Sequence, residues 1–231
     1  MHIPDGFVNA GVSAAAGVVS AGGIGYSLYK AKETLSEKLA PMAGLVAAFI
    51  FAVQMLNFPV AAGTSGHLLG GCLAAILVGP WAGAVAVAVV LLVQALLFAD
   101  GGLTALGLNV LNMALIAGWG GYAIFRAIRA FLPANRGSIV AASGIAGMLS
   151  VVLASIGFVV EYAIGGNGGA SVGTVFAAMV GTHFLIGIGE GIITALTVGV
   201  VLSVRPDMVY GAQDLVPSLE LREGSAVAGG S

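Results

Sequence analysis

The sequence predicts an all-α polytopic membrane protein of seven transmembrane helices, with the N-terminus outside and the C-terminus cytoplasmic. Three observations carry this expectation. Of 231 residues, 59% are hydrophobic and 8% charged, against roughly 25% charged in a soluble domain, so one soluble core cannot bury the apolar surface. Apolar runs matching the ~20 residues needed to cross a hydrocarbon core recur along the chain. The eight Lys and Arg residues fall in three places that one orientation puts on a single side.

Reading apolar runs between charges and breakers gives spans near 9–29, 40–58, 67–79, 81–99, 104–125, 138–163 and 173–203. Residues 1–8, MHIPDGFV, lack a basic run and include Asp5, so the first span is expected to be retained rather than cleaved. The third span is short, its 13 residues covering ~20 Å, and it stops at Gly79-Pro80 because proline lacks a backbone donor. The preceding stretch, Phe58 to Gly66, is too rich in Pro and Gly to be helical. Non-helical backbone at membrane depth persists only when packed in protein or lining a cavity. Residues 59–66 are therefore expected to fold back as a re-entrant-like loop that delivers His67 to the short helix.

The basic places are Lys30, Lys32 and Lys38; Arg126, Arg129 and Arg136; and Arg205 with Arg222. Seven spans with the N-terminus outside make all three cytoplasmic, leaving Asp5, Asp100 and Glu161 to the outer turns. An even number of spans would put one cluster on the wrong side. Residues 1–203 thus form a single transmembrane domain, and 204–231, polar and rich in Gly and Ser, read as a mostly disordered cytoplasmic tail. No internal repeat is evident, which argues against inverted-repeat transporters. Small residues recur every fourth position on the first span (Ser13, Gly17, Ala21, Gly25) and the last (Gly187, Gly191, Ala195, Gly199). Such ladders let helices approach closely, either within the bundle or against a partner membrane protein.

Several function classes are excluded or disfavoured. A net charge of −2 with no basic run gives no footprint for nucleic acid. The single cysteine, Cys72, rules out an internal disulfide framework and a Cys-rich zinc site. No G-x-x-x-x-G-K-[ST] loop is present, so the chain carries no ATPase site of that type. None of the three histidines sits near a G-x-S-x-G turn, which disfavours a membrane-embedded enzyme.

The opening Met1-His2 is the most informative stretch for chemistry. The terminal amine, the His2 amide nitrogen and the imidazole Nδ1 close adjoining five- and six-membered chelate rings in one plane, provided the amide gives up its proton. Square-planar nitrogen ligation suits Ni(II) or Cu(II). His67, arriving on the loop, is a candidate fourth ligand; the bland alternative makes both histidines hydrogen-bonded core residues. Asp100 either orients a ligating imidazole or forms the turn before the fifth span. Asn57, Asn109 and Asn112 either line the same cavity or bond across helices. His183 and Glu190, seven apart on one helical face, are expected as an intramembrane polar pair, structural or serving as a proton relay. Cys72 reads as a small apolar residue.

MHIPDGF (Met1 to Phe7), GTSGHLLGG (Gly63 to Gly71), GPWAG (Gly79 to Gly83), QALLFADGGLTALGLNVLNMA (Gln94 to Ala114) and GEGIIT (Gly189 to Thr194) together resemble the nickel/cobalt-specific substrate-capture (S) component of energy-coupling factor ABC transporters, the CbiM/NikM type. The resemblance runs over residues 1 to about 200, leaving the tail after Arg205 outside. It implies a metal held by the Met1 amine, the His2 amide and imidazole, and His67. It also implies seven spans in a bacterial or archaeal cell membrane. Ni(II) or Co(II) would be the transported substrate, with no organic cofactor. The implied partners are a transmembrane coupling (T) component, two ABC-type ATPase subunits and, in some systems, a small auxiliary membrane protein. The small-residue ladders are candidate contact faces for the T component. The competing reading is a self-sufficient secondary metal-cation transporter using His183 and Glu190. Planar nitrogen ligation favours Ni(II) over Co(II), but both remain open.

Overall fold

The computed structural model describes residues 1–34, 39–56, 58–60 and 64–215. Among them the order is α1 (Ala10–Thr34), α2 (Leu39–Gln54), an antiparallel ribbon of β1 (Phe58–Val60) and β2 (Thr64–Gly66), α3 (Gly71–Val78), α4 (Pro80–Leu97), α5 (Leu106–Val110), α6 (Gly121–Ala130), α7 (Arg136–Gly165) and α8 (Val172–Val204). A π-helical segment, Leu111–Gly120, joins α5 and α6 into one continuous rod. Among the described residues, five helical segments are long and apolar enough to cross a membrane: Ala10–Glu33, Pro80–Leu97, Leu106–Ala130, Arg136–Gly165 and Val172–Val204. α2 is a shorter apolar helix, and α3 has only eight residues, all of them buried.

Three of the expected boundaries differ. The second helix stops at Gln54 rather than 58, and the Pro-containing stretch after it forms the ribbon. Residues 61–63 and Asn57 lie outside the described residues. The third helix begins at Gly71 rather than His67. Its would-be first turn is consumed otherwise: the Leu69 and Gly70 amides donate to the Glu190 carboxylate at 2.8 and 2.7 Å, and Gly70 takes φ 75°. Gly79 and Pro80 break α3 from α4 as expected, with Pro80 opening α4.

α3 sits at the centre, packed by α2, α4, the π-helical segment, α6, α7 and α8. Its first residue shows why it must be small. A Cβ on Gly71 would stand 2.3 Å from the Met113 carbonyl oxygen, so side-chain-free backbone is what lets α3 meet the π-helical segment. The same device joins α7 to α8. Cβ atoms on Gly191 and Gly187 would lie 2.6 Å from the Gly144 carbonyl and 2.9 Å from the Met148 carbonyl. The ladder on the last helix therefore serves packing within the bundle at these two positions. The opposite side of α8 exposes Leu185, Ile188, Ile192, Leu196 and Val200, a stripe suited to lipid.

The two ends of the bundle differ in character. At one end the N-terminal segment meets the close of α7, with Asn9 N–H donating to the Gly165 carbonyl at 2.7 Å and Asn167 N–H to the Phe7 carbonyl at 3.0 Å. At the other, Arg129 at the close of α6 bonds Asp214 beyond α8 at 2.7 Å. The expected tail is ordered at its start. Residues 206–208 and 210–215 form 3-10 turns, Val209 and Ala212 are buried, and Tyr210 packs on Gly79. Residues 216–231 lie outside the described residues.

Gly71→Ala is expected to lower stability by about 1–3 kcal/mol, as overpacking against rigid backbone does. Gly22→Ala meets no atom within 4 Å and should keep or raise stability by about 0.5–1 kcal/mol. Thermal unfolding midpoints of the two purified variants beside the parent check this pair.

Candidate metal centre

The N-terminal residues are threaded into the bundle and held at each step. Asp5 Oδ1 accepts from the Thr104 amide at 2.8 Å and the Thr104 hydroxyl at 2.5 Å. These bonds hold the Asp5 carboxyl below its ordinary range. The carboxamide of Asn109 grips the Ile3 peptide on both sides: its Oδ1 accepts from the Ile3 amide at 2.7 Å and its Nδ2 donates to the Ile3 carbonyl at 3.3 Å. The Gly102 amide donates to the same carbonyl at 2.9 Å. Met1, His2 and Ile3 are consequently buried. Asn109 thus holds the segment from outside the donor set, while Asn112 turns away to donate to Glu161 at 2.7 Å. Glu161 itself is buried within α7 and not in an outer turn.

The loop before α3 brings the second histidine. Leu69 is held on both faces, its amide by Glu190 and its carbonyl by Gln54 Nε2 at 2.6 Å. The rings of His2 and His67 come to 4.5 Å between centroids, tilted by 31°. The two halves of the predicted site, 65 positions apart in the chain, therefore meet.

Each ring is held by one of its nitrogens. His2 Nε2 lies 3.1 Å from Gln94 Oε1, and Nδ1, on the side of its own amide, lies 3.2 Å from Asp100 Oδ1. His67 Nδ1 donates to the Leu68 carbonyl at 2.7 Å, which leaves the lone pair on Nε2, buried and without a hydrogen-bond partner. Burial pushes the Met1 amino group down to about 4, against the pull of Asp100, and it pushes His2 to about 4 as well. His67 is held well below its ordinary value, by burial first and then by the amine, His2 and His183. At neutral pH all three groups offer unprotonated nitrogen.

Asp100 does not orient the far side of the imidazole; Gln94, a residue missed from sequence, does that. Instead Asp100 Oδ1 lies 3.2 Å from His2 Nδ1. His183 and Glu190 do not form the expected pair. His183 Nδ1 bonds the Met179 carbonyl at 2.8 Å and its Nε2 is buried without a hydrogen-bond partner. Glu190 instead clamps the His67 loop. Two backbone amides aligned on one carboxyl group outcompete a single imidazole for it. Cys72 faces Gly121 and Ser150. Among the described residues no three His, Cys, Asp or Glu side chains group to hold a metal.

The chain matches the family CbiM, described as "Cobalt uptake substrate-specific transmembrane region", over residues 2–208. A putative fused nickel transport protein, NikMN, of Archaeoglobus fulgidus is 48% identical over 164 residues, 71% of this chain and 52% of that protein. The chain thus spans about half the length of this fused relative. A putative metal transport protein of Haloquadratum walsbyi is 38% identical over 210 residues, 91% of this chain and 94% of its own. A crystal structure described as a truncated transition metal transporter superposes with a TM-score of 0.81 at 31% identity, over 88% of this chain and 99% of that one. A family match that runs from His2 to the end of the helical bundle, on a fold shared with a solved metal transporter, establishes that the chain belongs to the CbiM family.

Proposed function

We propose that the chain is the substrate-capture component of an energy-coupling factor ABC importer, taking Ni(II) or Co(II) from outside. The observation that carries this is the convergence, in one buried place, of the Met1 amine, the His2 peptide and the His2 and His67 imidazoles, whose rings lie 4.5 Å apart. Four nitrogens, from the Met1 amine, the His2 amide, His2 Nδ1 and His67 Nε2, form the donor set. Such a set suits late first-row divalent ions, and its preference for planar geometry favours Ni(II). Closing it releases the amide proton, so binding is coupled to proton loss.

On this reading the site faces outside and the basic end faces inside. Lys30 and Lys32 close α1, Arg126 and Arg129 close α6, Arg136 opens α7 and Arg205 follows α8. The N-terminal segment and Asp100 lie at the opposite end. ATP chemistry comes from two ABC-type ATPase subunits, acting through a T component and, in some systems, a small auxiliary membrane protein. The α1 ladder divides: Gly17 packs against Gly107 within the bundle, whereas Ala21 and Gly25 are exposed and are the better candidates for a T-component contact. A self-sufficient transporter running on a His183–Glu190 pair has less support, because each residue has another partner.

Metal content of the purified chain with its native terminus, beside a form carrying one glycine before Met1, tests the reading. One nickel or cobalt per native chain and none in the extended form is expected; equal metal in both contradicts it. Glu190→Gln leaves one of two buried amides without an acceptor, at about 1–3 kcal/mol. Isothermal titration should show roughly tenfold or more weaker Ni(II) binding at unchanged stoichiometry. Asn109→Ala, which frees the Ile3 peptide, is expected to weaken binding similarly; affinity unchanged in both would remove the supporting role of these residues.

A further inference from the structure

We propose that Asp100 is where an incoming divalent cation first lands: an oxygen ligand that holds it beside His2 Nδ1 before the nitrogen chelate closes. The inference rests on the capture reading above. Three observations single Asp100 out. Its Oδ1 lies 3.2 Å from His2 Nδ1, the nitrogen the chelate uses, while the other ring nitrogen is already held by Gln94. Its side chain is 17% exposed, whereas that of His2 is 3% exposed and His67 is fully buried. Asp100 therefore touches both the surroundings and the innermost donors.

The third observation is the backbone. Ala99 takes φ 52° and Gly101 φ 91°, so the residues on both sides of Asp100 are left-handed, and at Ala99 a side chain bears that strain. Such a conformation persists only where its surroundings impose it. Here the Asp100 amide donates to the Gln94 carbonyl at 3.1 Å, and Gly101 packs so closely that a Cβ would stand 3.0 Å from His2 Cδ2. The turn fixes one carboxylate against one imidazole edge.

The chemistry gives this position a use. A hydrated divalent ion exchanges a water for a carboxylate oxygen without any proton leaving the protein. Bonding to the His2 amide breaks an N–H bond, and that proton must depart to water. A carboxylate at the mouth holds the cation by charge while the amide loses its proton, and then yields to the nitrogens. As a negative charge at the opening, it also raises the encounter rate of cations.

Stopped-flow absorbance with NiCl2 and the full chain, native terminus intact, tests the proposal. Asp100→Asn should slow association at least tenfold and slow release to a strong chelator, while the final Ni(II) spectrum matches the parent. Asp100→Glu, which keeps the carboxylate, should recover most of the rate. The parent's association rate should fall with ionic strength more steeply than that of Asp100→Asn. Equal rates in Asp100→Asn and parent overturn the proposal. So does an altered final spectrum, which would make Asp100 a resident ligand. If Asp100→Asn does not fold, the test rests on Asp100→Glu and the parent: a parent rate indifferent to salt then overturns it. Absence of stoichiometric nickel from the parent itself would instead remove the capture reading.

Discussion

The grip of Asn109 on the Ile3 peptide is the interaction on which the rest depends. A buried chain terminus is costly, because every amide and carbonyl taken from water needs a partner. One carboxamide satisfies both polar groups of Ile3, the Gly102 amide adds a second bond to its carbonyl, and Asp5 locks the next turn onto Thr104. With residues 3 to 5 pinned, Met1 and His2 have nowhere to go but inward. Burial then strips the amine of its proton at neutral pH, turning a surface cation into an electron-pair donor.

The opposite wall is built by a different economy. α3 is too short to span, and its eight buried residues serve as a post around which the other helices pack. Because it starts late, the residues before it run as irregular backbone carrying His67. Glu190 makes that backbone tolerable inside the bundle by accepting two of its amides, and Gln54 supplies the donor for its carbonyl. The site is thus two irregular segments, each held by side chains from regular helices. Rigid helices position the loop, and the loop and terminus present the donors.

Much of this was legible in the residues. Apolar runs located the helices to within a few positions, Gly79-Pro80 marked a real break, and the paucity of histidines made His2 and His67 conspicuous. The chelate argument needed only the order of atoms along Met1-His2. What stayed hidden was pairing at long range. Glu190 lies seven residues from His183 and was expected to bond it, yet its partners are main-chain amides some 120 positions away, which no spacing reveals. Gln94 stands in the sequence only as the first residue of a block that carries the resemblance, and only the fold places it on His2 Nε2. The ordered turns after Val204 read as tail because Arg205, Pro206, Asp207 and Asp214 give the stretch a polar, broken character, although Val209 and Ala212 are buried.

On the capture reading, main-chain nitrogen from the terminus completes the donor set that His2 and His67 begin. X-ray absorption at the nickel K-edge of the loaded full chain tests it most directly. Four nitrogen neighbours, two of them imidazole, with the edge feature of planar Ni(II), is the predicted result. A six-coordinate shell dominated by oxygen would contradict it.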